Sequence, residues 1–500
     1  MSSSQNPDRS QLGGARRLTL VDAVAQSVGF MGPVFSIAFL VPLLVGLNSS
    51  GKGAGVAAPL SVLLAAVGVL GLGWIVAQYA RRIHAAGSLY DYVTDGLGAR
   101  AGAAAGYLYY LGILVLGAGL NALVGGFIYD TLAAEFNKTP LPRTGWMLVV
   151  FAVLAVITYF GVALSTRAQL VLALTSITVV LIFFLHVIIS VGGKNDVAKA
   201  FNPSSSPNGL SGVLFGVLFG VLLFTGFETA ANLGEETAHP KRDIPRAVLI
   251  AVLAIGGFYI IGSYAQVAGF HFSIDEISKN AGAPLFALAG PSSAGGFGSQ
   301  LIGRLLELVV LLDMMAVLIG CAVAASRGFF AMARDNRMPK PMSKVSSRGT
   351  PFIATVVVLA FYLLTIAVTK LWVGLFALPA TPHYFAIFAW GSTFGGFALA
   401  CIYLLMAVGA LRGLRDHERY PMVVLAAVIG ILVTAGAIFG SIYKVSAPTI
   451  WAPWAAVAIL VLGYLLTYAL PGPPPAPGVG QTPAEEFAGL AESEQGPQKL

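Results

Sequence analysis

Twelve apolar runs of about 18 residues or more follow one another along this 500-residue chain. They lie at about 20–46, 56–80, 101–129, 146–164, 168–191, 210–234, 246–270, 304–327, 352–370, 383–411, 421–443 and 451–469. A run of that length crosses the hydrocarbon of a bilayer as a helix, because lipid offers the backbone no hydrogen bonds and a helix satisfies its own. Only 10% of the residues are charged and 57% are hydrophobic, whereas a soluble domain carries about 25% charged residues. The chain reads as an all-α integral membrane protein with about twelve transmembrane helices, and soluble classes are excluded.

An even number of spans puts both termini on one side of the membrane. Basic residues crowd the first terminus and alternate loops, among them Arg81, Arg82, Lys241, Arg242, Arg334 and Arg412, while the opposite loops hold scattered lysines such as Lys138 and Lys279. The positive-inside rule then places both termini in the cytoplasm. The net charge of +7 is topology in this reading, not a nucleic-acid footprint. Residues 1–17 form a polar cytoplasmic tail with no signal-peptide core, and 471–500, rich in proline and then glutamate, are expected to be disordered.

Several patterns lead nowhere. Gly46 to Gly53 approaches a phosphate-binding loop, but Gly53 stands where Ser or Thr is required and no strand precedes it. Asn48-Ser49-Ser50 and Asn137-Lys138-Thr139 match the glycosylation pattern in outside loops. No hydrolase motif, cofactor motif or His/Cys cluster with metal spacing is present, so no catalytic residues, cofactor or metal are expected. Cys321 and Cys401 lie inside apolar runs and read as packing residues. Gly102 with Gly106, Gly216 with Gly220 and Gly391 with Gly395 have the spacing that lets membrane helices approach closely.

Two spans carry interruptions that mere spanning does not call for. The first contains Gly29-Phe30-Met31-Gly32-Pro33, where proline removes a backbone donor; a simple kink and a broken helix both fit. The sixth contains Phe224-Thr225-Gly226-Phe227-Glu228, leading into Glu235, Glu236 and the stretch Pro240–Arg246, read as a loop. Interrupted segments in corresponding positions of two halves point to a transporter binding site. A half-helix N-terminus suits a carboxylate and exposed C-terminal carbonyls suit an ammonium or a cation, so the pair fits a zwitterion. Asp313 lies about nine residues inside the eighth span, about 13 Å deep at 1.5 Å per residue. Both Asp313 and Glu228 fit either a structural hydrogen bond or proton or cation coupling.

The residues also carry a resemblance. His84-Ala85-Ala86-Gly87-Ser88-Leu89-Tyr90-Asp91-Tyr92, the stretch from Gly226 to Pro245, Ala333-Arg334-Asp335-Asn336-Arg337-Met338-Pro339 and Gly349-Thr350-Pro351 resemble, in order, motifs of the amino acid-polyamine-organocation superfamily, in particular its amino acid permeases. The resemblance implies a five-plus-five inverted-repeat (LeuT-like) fold with two further helices. The permease domain would be 18–470, with repeats at about 20–191 and 210–411 and the extra helices at about 421–469. It implies an importer working by alternating access, not an enzyme. Carried over by position, Gly29, Phe30, Met31, Gly32, Phe224, Thr225, Gly226 and Phe227 would hold a small-molecule substrate, an amino acid or an amine, with Phe224 or Phe227 capping it. Tyr110, Asn121, Trp390 and Ser392 are further candidates for the lining.

Three departures stand out. Ser176 replaces the helix-five lysine of many proton-coupled relatives, Pro33 follows Gly32, and Asn336 stands where glycine is usual. The coupling ion is expected to be a proton, with sodium as the alternative, and Glu228, Asp313 and Ser176 are the coupling candidates. A polyamine or organic amine permease is the second reading, and a non-transporting membrane sensor the third.

Overall fold

Backbone in lipid must bond to itself, and in a computed structural model of the chain the apolar runs accordingly fold as helices. The structure describes residues 18–47, 52–83, 89–160, 166–233, 237–280, 284–346, 350–378 and 381–469. Both tails, Asn48 to Gly51, His84 to Ser88, Glu235, Glu236 and Gly349 lie outside the described residues.

Among the described residues the spans are α1 (Leu20–Met31 and Pro33–Val45), α2 (Ala58–Ala80), α3 (Ala99–Phe136), α4 (Arg143–Phe160), α5 (Thr166–Val191) and α6 (Gly209–Leu223, continued by a 3-10 segment at Phe227–Leu233). There follow α7 (Pro240–Gly269), α8 (Gln300–Arg334), α9 (Phe352–Leu371), α10 (His383–Gly413), α11 (Tyr420–Ile442) and α12 (Trp451–Ala469). Eleven of these are long and apolar enough to cross a bilayer, and α4, with a shorter apolar stretch at Arg143–Tyr159, completes the expected twelve.

Boundaries differ from expectation, first at the proline-bearing stretch expected to be a loop. Pro240 sits in the first turn of α7, where its missing N–H leaves no bond unmade, so the stretch to Arg246 opens the helix. The Leu89-Tyr90-Asp91-Tyr92 motif lies in a short helix, Leu89–Leu97, ahead of α3. Because α8 starts at Gln300, Asp313 stands thirteen residues in, about 20 Å along the helix and deeper than expected.

Helix contacts reveal the repeat. α2 packs on α7, and both pack against α1 and α6. α3, α4, α8 and α9 interlock as a second group. α5 leans on α1 and α7, while its counterpart α10 leans on α6 and α2 and packs most extensively on α3. α11 and α12 join from outside, α11 against α2, α6 and α10 and α12 against α3 and α10. This is the five-plus-five inverted repeat with two added helices. The outward faces carry exposed Ile189, Leu253, Leu308, Leu432 and Leu465, which suits lipid.

Glycine sets how closely the helices approach. A Cβ added at Gly395 of α10 would lie 3.2 Å from Leu116 Cβ and 3.3 Å from the Gly112 carbonyl of α3, and one at Gly220 would lie 2.7 Å from Ala65 Cβ of α2. The glycine pairs thus serve packing, as their spacing indicates.

Lys52 and Gly53, at the end of the stretch that resembles a phosphate loop, form a latch. Lys52 is 3% exposed, and its ammonium donates to the carbonyls of Gly440 (3.0 Å) and Tyr443 at the end of α11. Gly53 donates to Asn208 Oδ1 at 3.1 Å and its carbonyl accepts from the Ser206 hydroxyl at 3.1 Å. Lys52→Ala leaves both carbonyls without that donor, and charge-assisted bonds of this kind contribute about 1.5–3 kcal/mol. A fall in melting temperature of the purified variant is the expected result, and an unchanged value removes the latch.

Candidate transport site

At Gly32 the chain turns into the left-handed region, with φ at +51°, and this residue ends the first half of α1 while opening the second. Pro33 occupies the first position of the second half, where its fixed φ helps and its missing N–H costs nothing. The interruption is therefore a true break and not a kink. The Ser36 N–H returns to the Gly32 carbonyl at 2.8 Å. Of the first-turn donors only Val34 and Phe35 remain, and both give their N–H to Asp313 Oδ2, at 2.9 and 2.8 Å. Asp313, in the middle of α8 and 9% exposed, thus caps a half-helix of another repeat.

The second break has the same logic. Phe224, Thr225 and Gly226 interrupt α6, with Gly226 at φ +110°, a conformation glycine adopts readily. Glu228, fully buried, folds back so that Oε2 accepts the Gly226 N–H at 3.1 Å, while Oε1 accepts the Tyr109 hydroxyl of α3 at 3.0 Å. The Tyr403 hydroxyl of α10 faces the same carboxylate at looser geometry. Each break is therefore closed by a carboxylate supplied from within the chain.

The two breaks meet. A Cβ at Gly226 would lie 2.6 Å from Phe30 Cδ1 and 3.0 Å from the Met31 backbone nitrogen. Ser27 Oγ donates to the Phe227 carbonyl at 2.9 Å and accepts the Ala230 N–H at 3.3 Å, tying α1 to the segment after the break. Among the described residues the buried Thr225 hydroxyl has no hydrogen-bond partner.

Of the residues expected at the site, Phe30, Met31, Gly32, Thr225, Gly226, Glu228 and Asp313 are found at the two breaks, and Gly29 sits half-buried one turn before Gly32. Phe224 packs edge-on against Tyr259 at 5.2 Å between centroids, and Phe227 packs on Tyr403 at 5.5 Å. Both rings are fully buried, so neither faces an open space in this conformation. Ser176 is half-buried on α5, which packs against α1, and among the described residues it bonds to neither carboxylate. Tyr110 packs beside Tyr109, Asn121 donates to the Met147 carbonyl at 3.3 Å, and Ser392 is buried with its hydroxyl unpaired. Trp390 donates to the Pro448 carbonyl at 3.2 Å and lines a small apolar cleft with Leu43, Phe219 and Phe376.

Tyr109, Tyr403 and Ser27 were not foreseen. Choosing Tyr109 over Tyr110 requires the rotation of α3, since neighbours differ by about 100° on a helix, and this helix is apolar on every side. Among the described residues no three His, Cys, Asp or Glu groups cluster to hold a metal ion.

Comparison with known proteins shows the family and the fold. The model of one family, described as Amino acid permease, matches residues 27–477. The chain is 27% identical to the vacuolar cationic amino acid transporter 4 of Arabidopsis thaliana, over 67% of this chain and 55% of that protein. It is 23% identical to the branched-chain amino acid permease BcaP of Bacillus subtilis, over 61% of this chain and 67% of that one. It is 26% identical to the lysine-specific permease LysP of Lactococcus lactis, over 77% and 78%. A solved manganese transporter of Eremococcus coleocola superposes with a TM-score of 0.53 at 11% identity, covering 90% of this chain and 94% of that one, which establishes the fold alone. With about nine-tenths of its length inside the family match, the chain belongs to the amino acid permease family.

Proposed function

We propose that this permease is a secondary transporter that imports amino acids across the cytoplasmic membrane, with both termini in the cytoplasm, driven by a proton gradient. It works by alternating access around the breaks in α1 and α6. The observation that carries this reading is the meeting of the two breaks in the bundle interior, beside an unpaired Thr225 hydroxyl and two buried carboxylates. Carbonyls ending the first half of α1 suit a substrate ammonium, and the amides opening the second half suit its carboxylate. Glu228 and Asp313 are the proton-carrying candidates, since acids inside a membrane bundle cluster on ion paths. Ser176 would matter in a sodium-driven cycle.

One observation favours a second substrate class. With Asp313 already on the α1 amides and Glu228 at the α6 break, the site as it stands complements a cation, as an organic amine would be. Proteoliposome uptake of labelled amino acids and amines, under separately imposed proton and sodium gradients, decides. Proton-driven amino acid uptake supports the first reading, amine-only uptake replaces it with the second, and sodium-driven uptake replaces the proton.

Two substitutions probe the site itself. Gly226→Leu drives a side chain into Phe30 and is expected to abolish substrate binding; wild-type affinity in that variant removes the breaks from the site. Glu228→Gln loses charge-assisted bonds of about 1.5–3 kcal/mol at the α6 break, so apparent affinity should fall about tenfold or more. Unchanged uptake in that variant removes Glu228 from the cycle.

A further inference from the structure

Asp313 stands where a substrate carboxylate is expected to stand. Pro33 has no N–H, Ser36 bonds back to Gly32, and Val34 and Phe35 both donate to Asp313 Oδ2, so the amides that follow Pro33 in the first turn of the second half of α1 are all taken. A second carboxylate therefore cannot take those amides while the first remains on them. Like charges sharing one pair of donors repel, and the surroundings hold little to offset that repulsion. Val317 and Phe35 crowd the same spot, and any side chain at Gly32 would sit 3.5 Å from Asp313 Oδ2.

We propose that Asp313 is a resident substitute for the substrate carboxylate: it holds the α1 amides in the empty transporter, an incoming amino acid displaces it, and it takes up one proton as it leaves. This rests on the amino acid reading given above. The proton is required by the company Asp313 keeps. Among the described residues the titratable side chain in electrostatic contact with it is Tyr259 of α7, whose hydroxyl donates to the Leu223 carbonyl at 2.8 Å, and no cation from any neighbouring helix pairs with it. An ionised carboxylate moved off its two amides into such surroundings has nothing to stabilise its charge. Among the described residues Oδ1 carries no hydrogen bond, so it is the atom to which the new O–H bond forms. The proton comes from the medium facing the open site. When the amino acid departs on the other side, the O–H bond breaks, the proton follows, and Oδ2 regains the amides. One proton and one zwitterion cross per cycle, so import of a neutral amino acid carries one positive charge inward.

The test uses reconstituted protein with labelled leucine and lysine beside their decarboxylated analogues isopentylamine and cadaverine. In the wild type, current should accompany leucine uptake, and apparent affinity should weaken about tenfold per pH unit on the alkaline side, as linkage to one proton requires. Asp313→Asn still offers an oxygen to the amides but binds no proton. Its leucine affinity should become independent of pH, and its accumulation ratio under a proton gradient should fall to one. Glu307→Gln, removing another acid of the same helix, keeps the wild-type slope. Accumulation by Asp313→Asn at the wild-type level overturns the proposal, as does folded Asp313→Asn that binds amines but no amino acid. If Asp313→Asn melts early, Asp313→Glu reports instead: a retained pH slope with a shifted midpoint supports the proposal and a flat profile overturns it. Amine-only uptake by the wild type sinks the amino acid reading and this proposal together, whereas wild-type leucine uptake with an unaltered slope in Asp313→Asn sinks this proposal alone.

Discussion

A helix broken inside a bilayer leaves backbone donors and acceptors that lipid cannot satisfy, and the centre of this protein is organised around that constraint. Each break is closed by a carboxylate, one from a distant helix and one from the break's own segment. Asp313 reaches from α8 to the amides of α1, and Glu228 turns back onto Gly226 while holding Tyr109 of α3. The acids in turn depend on those donors, because a bare carboxylate in the bundle interior would be far costlier than one with two hydrogen bonds. Broken backbone and buried acid therefore have to be considered as one unit.

Around that unit the helices divide into two packed groups. α1, α2, α6 and α7 pack on one another, while α3, α4, α8 and α9 interlock. Asp313 and the Tyr109–Glu228 bond cross between the groups, α8 to α1 and α3 to α6. Among the described residues these polar links bridge two groups of largely apolar helices, so a change in either carboxylate acts on the relation between the groups.

Much of this was legible from the chain. The twelve spans follow directly from hydropathy, and glycine and proline mark interruptions at Gly32 and Gly226, although in the first span a kink and a break read alike from the sequence. Asn336, which stands where the resembling motif calls for glycine, adopts φ +58°, and asparagine tolerates that left-handed conformation better than most side chains. What could not be read is rotation about helix axes that are apolar all round. The choice of Tyr109, the pairing of Asp313 with Val34 and Phe35, and the packing of Phe224 on Tyr259 join residues far apart in the chain with no periodic signal linking them. Local chemistry also misplaced the start of α7, since proline in a first helical turn reads the same as proline in a loop.

The Lys52 latch bears on the two helices outside the repeat. Its bonds to Gly440 and Tyr443 run from the segment just past the second half of α1 to the end of α11. Any tilt of that half-helix either breaks both bonds or drags the tip of α11 along. Were that half-helix to tilt, the eleventh helix would act on it as a spring, with a stiffness set by its seat against α10 and α2.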